Sequence, residues 1–239
     1  MYERLAGKTV VLTREPDDNV ELAARLRGTA ARIVELPCVR TEPNDDASAL
    51  VGAMAGLREE DCVVVTSRHG ADAIARCGPT RAAVAAVGDA TAARLRERGF
   101  RVAFQPSVAT GTALARELPP RAGAVLLARS DRSLPDLPAI LRERGFVVRE
   151  VVAYRTIPEA QGDVAGVRAL LASSLGNVAV LFHSPSAVAG MLGAIEAPLV
   201  ARASIHVSGR STMRAARDAL GVDADVSLIE EEASRVAHR

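Results

Sequence analysis

The chain has almost no net charge: 30 basic residues stand against 29 acidic ones over 239 positions, leaving +1. That balance argues against a dedicated nucleic-acid binder or a protein that clings to anionic membranes. No apolar run approaches the roughly 18–20 residues of a membrane span. The opening Met1-Tyr2-Glu3-Arg4-Leu5 lacks the charged-then-apolar layout of a signal peptide. Cysteine occurs only as Cys38, Cys62 and Cys77, an odd number with no close pair. This disfavours a disulfide framework and a zinc site and points to a reducing compartment. His69, His183, His206 and His238 show no metal-ligand spacing. No G-x-G-x-x-G follows the first strand-like run and no Walker lysine motif occurs, which disfavours NAD and ATP. The nucleophile elbow G-x-S-x-G is missing as well. What remains is the expectation of a soluble, cytoplasmic protein that uses no metal or nucleotide and contacts neither nucleic acid nor membrane.

Lysine is nearly absent too, because Lys8 is the only basic residue that is not arginine. Arginine suits bidentate capture of carboxylate or phosphate. Alanine and valine are inflated in parallel, however, so the bias as a whole reads as a GC-rich genome, and each arginine has to be judged by its place. Apolar residues make up 49% and charged residues 25%, the mix of a globular protein. The length fits one large domain or two small ones.

The chain repeats itself. Gly7-Lys8-Thr9-Val10-Val11-Leu12-Thr13-Arg14 and Gly123-Ala124-Val125-Leu126-Leu127-Ala128-Arg129 are both apolar strand-like runs closed by arginine. Amphipathic helices follow over Glu21–Arg27 and Leu137–Arg144, then β-rich runs over 31–36 and 146–152. From Arg14 to Arg129 and from Pro43 to Pro158 the interval is the same 115 residues. A second unit also occurs twice. Val63-Val64-Val65-Thr66-Ser67 matches Val180-Leu181-Phe182-His183-Ser184, and further on Ala86-Val87-Gly88-Asp89-Ala90-Thr91 and His206-Val207-Ser208-Gly209-Arg210-Ser211-Thr212 each lead into a helix. The helices after the later turns end at Arg98-Gly99-Phe100 and at Leu220-Gly221-Val222, with glycine placed as C-cap.

Alternating strands and helices with short apolar runs predict parallel sheets covered on both faces. Two partitions fit: a simple tandem, or an interleaved arrangement in which the extended, proline-bounded segments 37–43 and 153–158 pair as an antiparallel ladder and carry the chain across and back.

In open parallel sheets ligands bind beyond the carboxyl ends of the strands. Four strand-to-helix turns share a small, polar composition: Thr66-Ser67-Arg68-His69-Gly70, Gly88-Asp89-Ala90-Thr91, Ser184-Pro185-Ser186 and Gly209-Arg210-Ser211-Thr212. Each serine or aspartate there is by itself a plain N-cap. As a repeated set expected to face one cleft, the four turns offer backbone N–H groups to anions. Arg14 and Arg129 hold equivalent places past the first strand of each repeat, where a carboxylate-binding arginine would sit. Tyr154 falls in the second extended segment. Glu59-Glu60-Asp61 and Glu230-Glu231-Glu232 read as solvated charge runs, the second as a helix first turn.

In order and spacing, Val11-Leu12-Thr13-Arg14, Thr66-Ser67-x-x-Gly70, Ala86-Val87-Gly88-x-Ala90-Thr91, Tyr154-Arg155-Thr156, Phe182-x-Ser184-Pro185-Ser186-Ala187-Val188 and Gly209-x-x-Thr212 resemble the uroporphyrinogen-III synthase family over nearly the whole chain. The resemblance implies two flavodoxin-like, doubly wound α/β domains joined by a two-stranded β-ladder. Domain one is then 1–36 plus 159–239, domain two is 43–152, and 37–42 and 153–158 are linkers. It also implies a monomeric lyase without cofactor that cyclises hydroxymethylbilane to uroporphyrinogen III with loss of water and inversion of ring D through a spiro intermediate. Tyr154 is the residue expected to assist departure of the hydroxyl. Arg14, Thr66, Ser67, Gly88, Thr91, Arg129, Ser184, Ser186, Gly209, Ser211 and Thr212 are expected to bind the acetate and propionate arms. Transient contact with hydroxymethylbilane synthase is a further expectation. His69, His183 and Arg210-Ser211 depart from the Asn, Thr and Pro-Thr usual in the family. Two rivals stand beside it: a non-catalytic tetrapyrrole-binding or regulatory paralogue, and a periplasmic-type binding protein.

Overall fold

The structure is a computed structural model and describes residues 3–120, 123–173, 177–221 and 226–228. Val222, Glu230-Glu231-Glu232 and His238 lie outside the described residues. The chain begins with β1 (Thr9–Leu12), α1 (Pro16–Leu26), β2 (Arg32–Glu35), β3 (Val39–Pro43) and α2 (Ser48–Ala55). It continues through β4 (Cys62–Val65), α3 (Arg68–Arg76), β5 (Ala83–Ala86), α4 (Asp89–Glu97), β6 (Val102–Phe104) and α5 (Gly111–Glu117). Next come β7 (Val125–Ser130), α6 (Asp136–Glu143), β8 (Val148–Pro158), α7 (Val164–Ser173) and β9 (Val178–Phe182). It closes with α8 (Pro185–Leu192), α9 (Ala197–Val200), β10 (Ser204–Val207), α10 (Arg210–Leu220) and β11 (Val226–Leu228). No described helix is long and apolar enough to cross a membrane.

The elements form two compact units, one of residues 1–40 and 157–239, the other of residues 41–156. In the first, the sheet runs β11-β10-β9-β1-β2 with every pairing parallel. Counted along the unit this is the flavodoxin order, and its switch point lies between β1 and β9. In the second, β8-β7-β4-β5-β6 are parallel and β3 lies outside β8. Counted from β4 this is the other doubly wound order, 3-2-1-4-5, with the switch between β4 and β7.

Successive strand residues face opposite sides, so a strand covered on both faces must be apolar throughout. β4 and β9 are buried at every position. In the second unit Val63, Val65 and Leu126 join one core, while Cys62, Val64 and Leu127 join the other. In the first unit Val11, Val180 and Phe182 lie on one side and Val10, Leu12, Ala179 and Leu181 on the other. The alternation is what produces the three-layer build.

Two buried features hold segments that are distant in sequence. Asp61, expected in a solvated charge run, is 3% exposed. Its carboxylate accepts from Arg58 N and from Ala124 N, each at 2.7 Å. The Arg58 amide, together with Ala124 N and the nearby Arg58 and Arg149 cations, holds the acid below the usual carboxylate range, against the effect of burial. The correction has a simple cause: β7 arrives beside β4 with an unpaired amide at Ala124, and a carboxylate satisfies it. In the first unit Gly190 of α8 crosses directly over the chain at Cys38, whose carbonyl accepts from Glu159 N at 3.1 Å. A Cβ on Gly190 would lie 1.8 Å from that carbonyl oxygen.

Candidate functional site

In the 41–156 unit the turn from β4 to α3 presents Thr66, half-buried, and Ser67, the helix N-cap. Ser67 is extended, and its Oγ accepts from Gly70 N at 3.0 Å. Glycine fits closely at position 70, where a Cβ would lie 3.0 Å from Val65 Cγ1 and 3.2 Å from Ala128 O. The same Ser67 Oγ donates to Tyr154 Oη at 2.8 Å. Tyr154, on β8, is buried against the core beside α3. Its ring centroid lies 5.6 Å from that of His69. The structure therefore brings Ser67, His69 and Tyr154 together at the N-terminus of α3, next to the β4/β7 switch point.

Arg129 is placed otherwise than expected. It is buried within β7, its Nη1 donating to Glu150 at 2.9 Å and its Nη2 to the Leu134 carbonyl. Burial pulls this guanidinium below its ordinary value, with Glu150 opposing. It braces β8 and the start of α6, so its fork is not open to a ligand carboxylate. Glu150, its partner, carried no local signal in the sequence.

The turn from β5 to α4 is capped by Gly88, in extended conformation and without a side-chain cap bond. A Cβ on Gly88 would lie 2.8 Å from Ala109 Cβ, so packing excludes a larger residue. Thr91 is buried in the first turn of α4. In the other unit the pattern repeats. Ser184 caps α8, its Oγ accepting from Ala187 N at 3.1 Å, with Pro185 opening the helix and Ser186 half-buried. Gly209 starts α10 without a side-chain cap, Ser211 is half-buried, and Thr212 is buried. Each unit thus pairs one serine-capped helix with one glycine-capped helix. Burial of Thr91 and Thr212 leaves first-turn backbone N–H groups, which lack intrahelical acceptors, as the donors these turns offer to anions.

Arg14 follows β1 and is half-exposed, with Nη2 2.9 Å from Asp18. Thr13 Oγ1 donates to Leu181 O at 2.6 Å, tying β1 to β9 at the switch. Asn19, fully buried, donates from Nδ2 to Arg14 O and to Glu35, at 2.9 and 3.3 Å. Asn19 escaped sequence reasoning, because its role is to fix a loop carbonyl. Among the described residues no cluster of acids, histidines and cysteines is arranged to hold a metal ion.

A family model described as uroporphyrinogen-III synthase HemD matches residues 20–232. The chain belongs to the uroporphyrinogen-III synthase family. It is 26% identical to the porphyrin biosynthesis protein HemD of Ruminiclostridium josui, over 91% of this chain and 45% of that one. It is 29% identical to the chloroplastic uroporphyrinogen-III synthase of Oryza sativa, over 77% of this chain and 63% of the relative. The chain thus spans roughly half to two thirds of the length of the curated relatives it matches. A crystal structure of a mutant uroporphyrinogen III synthase from Thermus thermophilus shares the fold, with TM-score 0.57 at 21% identity, covering 95% of this chain and 94% of that one. The enzyme from Helicobacter pylori does so with TM-score 0.55 at 15% identity, covering 88% of each.

One departure from this family's pattern carries a measurable consequence. His183, between β9 and α8, has an Nδ1 that is buried without a partner among the described residues. Burial, reinforced by the Arg14 charge, pushes the imidazole down to about 4. In the unfolded chain the group titrates near 6.5. Acidification therefore protonates the unfolded chain first, and stability falls between about 6.5 and 4, by up to about 3 kcal/mol across the window. His183→Thr is expected to flatten this loss in urea unfolding compared at pH 7 and pH 5. Equal losses in both proteins would show that His183 is not its source.

Proposed function

We propose that the chain is a uroporphyrinogen-III synthase that cyclises hydroxymethylbilane with loss of water and inversion of ring D. Membership of the family over residues 20–232 supports the reading. The observation that carries it is the Tyr154 hydroxyl held at 2.8 Å by Ser67 at the N-terminus of α3. A phenol there can give its proton to a departing hydroxyl, the acid step that turns the bilane into a reactive azafulvene.

The azafulvene closes by itself to the unrearranged isomer, so the protein's further work is orientation. Acetate and propionate arms are anions, and helix starts stabilise anions. In this reading each unit offers its own helix starts to such arms: α3 and α4 through Thr66 and the Gly88 backbone, and α8 and α10 through Ser184, Ser186, Ser211 and the Gly209 backbone, with Arg14 as the accessible guanidinium. A preference of about 3 kcal/mol between competing closures gives better than hundredfold selectivity. The reaction so written needs no cofactor. Linkers at 37–42 and 153–158, a monomeric state, a cytoplasmic location and a transient handover from hydroxymethylbilane synthase belong to the same proposal.

The test is the lifetime of freshly prepared hydroxymethylbilane with substoichiometric protein. The expected result is consumption many times faster than spontaneous closure. An unchanged lifetime with folded protein that still binds uroporphyrin would replace this reading with that of a non-catalytic tetrapyrrole-binding protein.

A further inference from the structure

The family resemblance implies that Ser67 binds a carboxylate arm of the substrate. Its hydrogen-bond inventory says otherwise. A serine hydroxyl has one proton and two lone pairs. Ser67 spends the proton on Tyr154 Oη at 2.8 Å and takes the Gly70 amide on its oxygen at 3.0 Å. A carboxylate only accepts, so it would compete for a proton already placed. We propose that Ser67 is a positioning residue for Tyr154, which rests for its catalytic meaning on the function proposed above. It fixes the phenol in place and favours release of its proton.

The polarity of the relay supports this. The start of α3 carries partial positive charge. Gly70 N–H polarises the Ser67 oxygen, which makes the Ser67 proton a better donor to Tyr154. A phenol oxygen that accepts such a bond keeps its own O–H as a donor, and the accepted bond strengthens as negative charge builds on the oxygen during proton transfer. The other charged and titratable groups around Tyr154 come from its own strand and from neighbouring elements. Arg129 on β7 interacts electrostatically with the phenol and favours its ionised form, while Glu150 on β8 offsets that cation through their 2.9 Å pair. Asp131 contributes its amide to Tyr154 O, and its carboxylate accepts from Thr156 N. His69 lies against the ring.

The chain has two tyrosines and no tryptophan, so phenol ionisation can be read directly. Tyr2→Phe leaves Tyr154 as the sole signal. Difluorotyrosine, whose phenol ionises nearer neutrality, brings the titration into a range where the fold is kept. Ser67→Ala and Ser67→Gly are each expected to raise the midpoint by about one pH unit, the worth of one hydrogen bond to a charged group. Ser67→Thr is expected to restore it. Glycine is included because it costs an N-cap only a few tenths of a kcal/mol relative to serine, whereas alanine costs more. In turnover, kcat is expected to fall about tenfold with KM unchanged in the alanine and glycine variants. An unmoved midpoint in both would overturn the proposal, and a raised KM with an unmoved midpoint would return Ser67 to substrate binding. The titration needs no turnover, so its failure is distinct from a failure of the proposed function, which would show as an inactive parent protein.

Discussion

Tyr154→Phe is expected to lower kcat by roughly 10²–10⁴-fold, the usual worth of a positioned general acid. The substitution keeps the ring in the core that β8 shares with Val63, Val65, Ile74 and Leu126. It removes one oxygen and leaves Ser67 without the acceptor it holds at 2.8 Å. Lost stability should be about 1 kcal/mol. Ser67 keeps its bond to Gly70 N, so α3 remains capped. KM is expected to change little, because the arms are assigned to helix starts and not to the phenol. Steady-state rates on freshly made hydroxymethylbilane, corrected for spontaneous closure and paired with thermal melts, check this. A folded Tyr154→Phe protein with full activity would end the catalytic assignment.

The largest effect on stability is expected at Gly190. Its α-carbon faces the backbone of Cys38 and Glu159, and a Cβ would come within 1.8 Å of Cys38 O and 2.9 Å of Glu159 N. Backbone cannot step aside as a flexible side chain does. The Cys38 carbonyl is further held by the Glu159 amide at 3.1 Å. Gly190→Ala must push α8 away from the core that Val188 and Met191 share with Val180 and Phe182. Overpacking of this kind costs typically 1–3 kcal/mol and sometimes more, and the backbone contact puts this case at about 3. Against the 5–15 kcal/mol of an ordinary domain that is a large loss, worth about 6–12 °C in Tm at this size. Gly52→Ala is the control. Gly52 is helical, exposed and meets nothing within 4 Å, so alanine there should stabilise by up to about 1 kcal/mol. Equal Tm values for the two variants would refute the close approach at α8.

The repeats were legible because buried parallel strands must be apolar at consecutive positions, and β1, β4, β7 and β9 are short runs of that kind. Helix α1 starts five residues before the expected amphipathic stretch, at Pro16, where proline suits the first turn and Asp17 and Asp18 meet the helix dipole. β6 went unread because Val102-Ala103-Phe104 is only three residues long and partly exposed, too short a run for either a buried-strand or an alternating pattern to stand out. β8 was split into a strand and a linker, yet it is one strand of eleven residues with a register shift against β7 near Ser130.

At the site, the four helix starts could be read from Ser67, Gly88, Ser184 and Gly209, since caps are local chemistry. Partners set by topology could not. Asp61 and Ala124 are 63 residues apart, and Ser67 and Tyr154 are 87 apart. Arg129 looked like a ligand for carboxylate because its position matched Arg14. Both pair with a carboxylate, and what distinguishes them is burial: Arg14 stays partly exposed beside Asp18, whereas the β7–β8 register closes Arg129 in against Glu150.

The most direct test of the account is the isomer ratio of the product. Freshly prepared hydroxymethylbilane is supplied to the folded protein, the product is oxidised, and uroporphyrins I and III are separated by chromatography. The account predicts predominantly type III, well above the protein-free control. Type I alone, from protein shown to be folded, would contradict it.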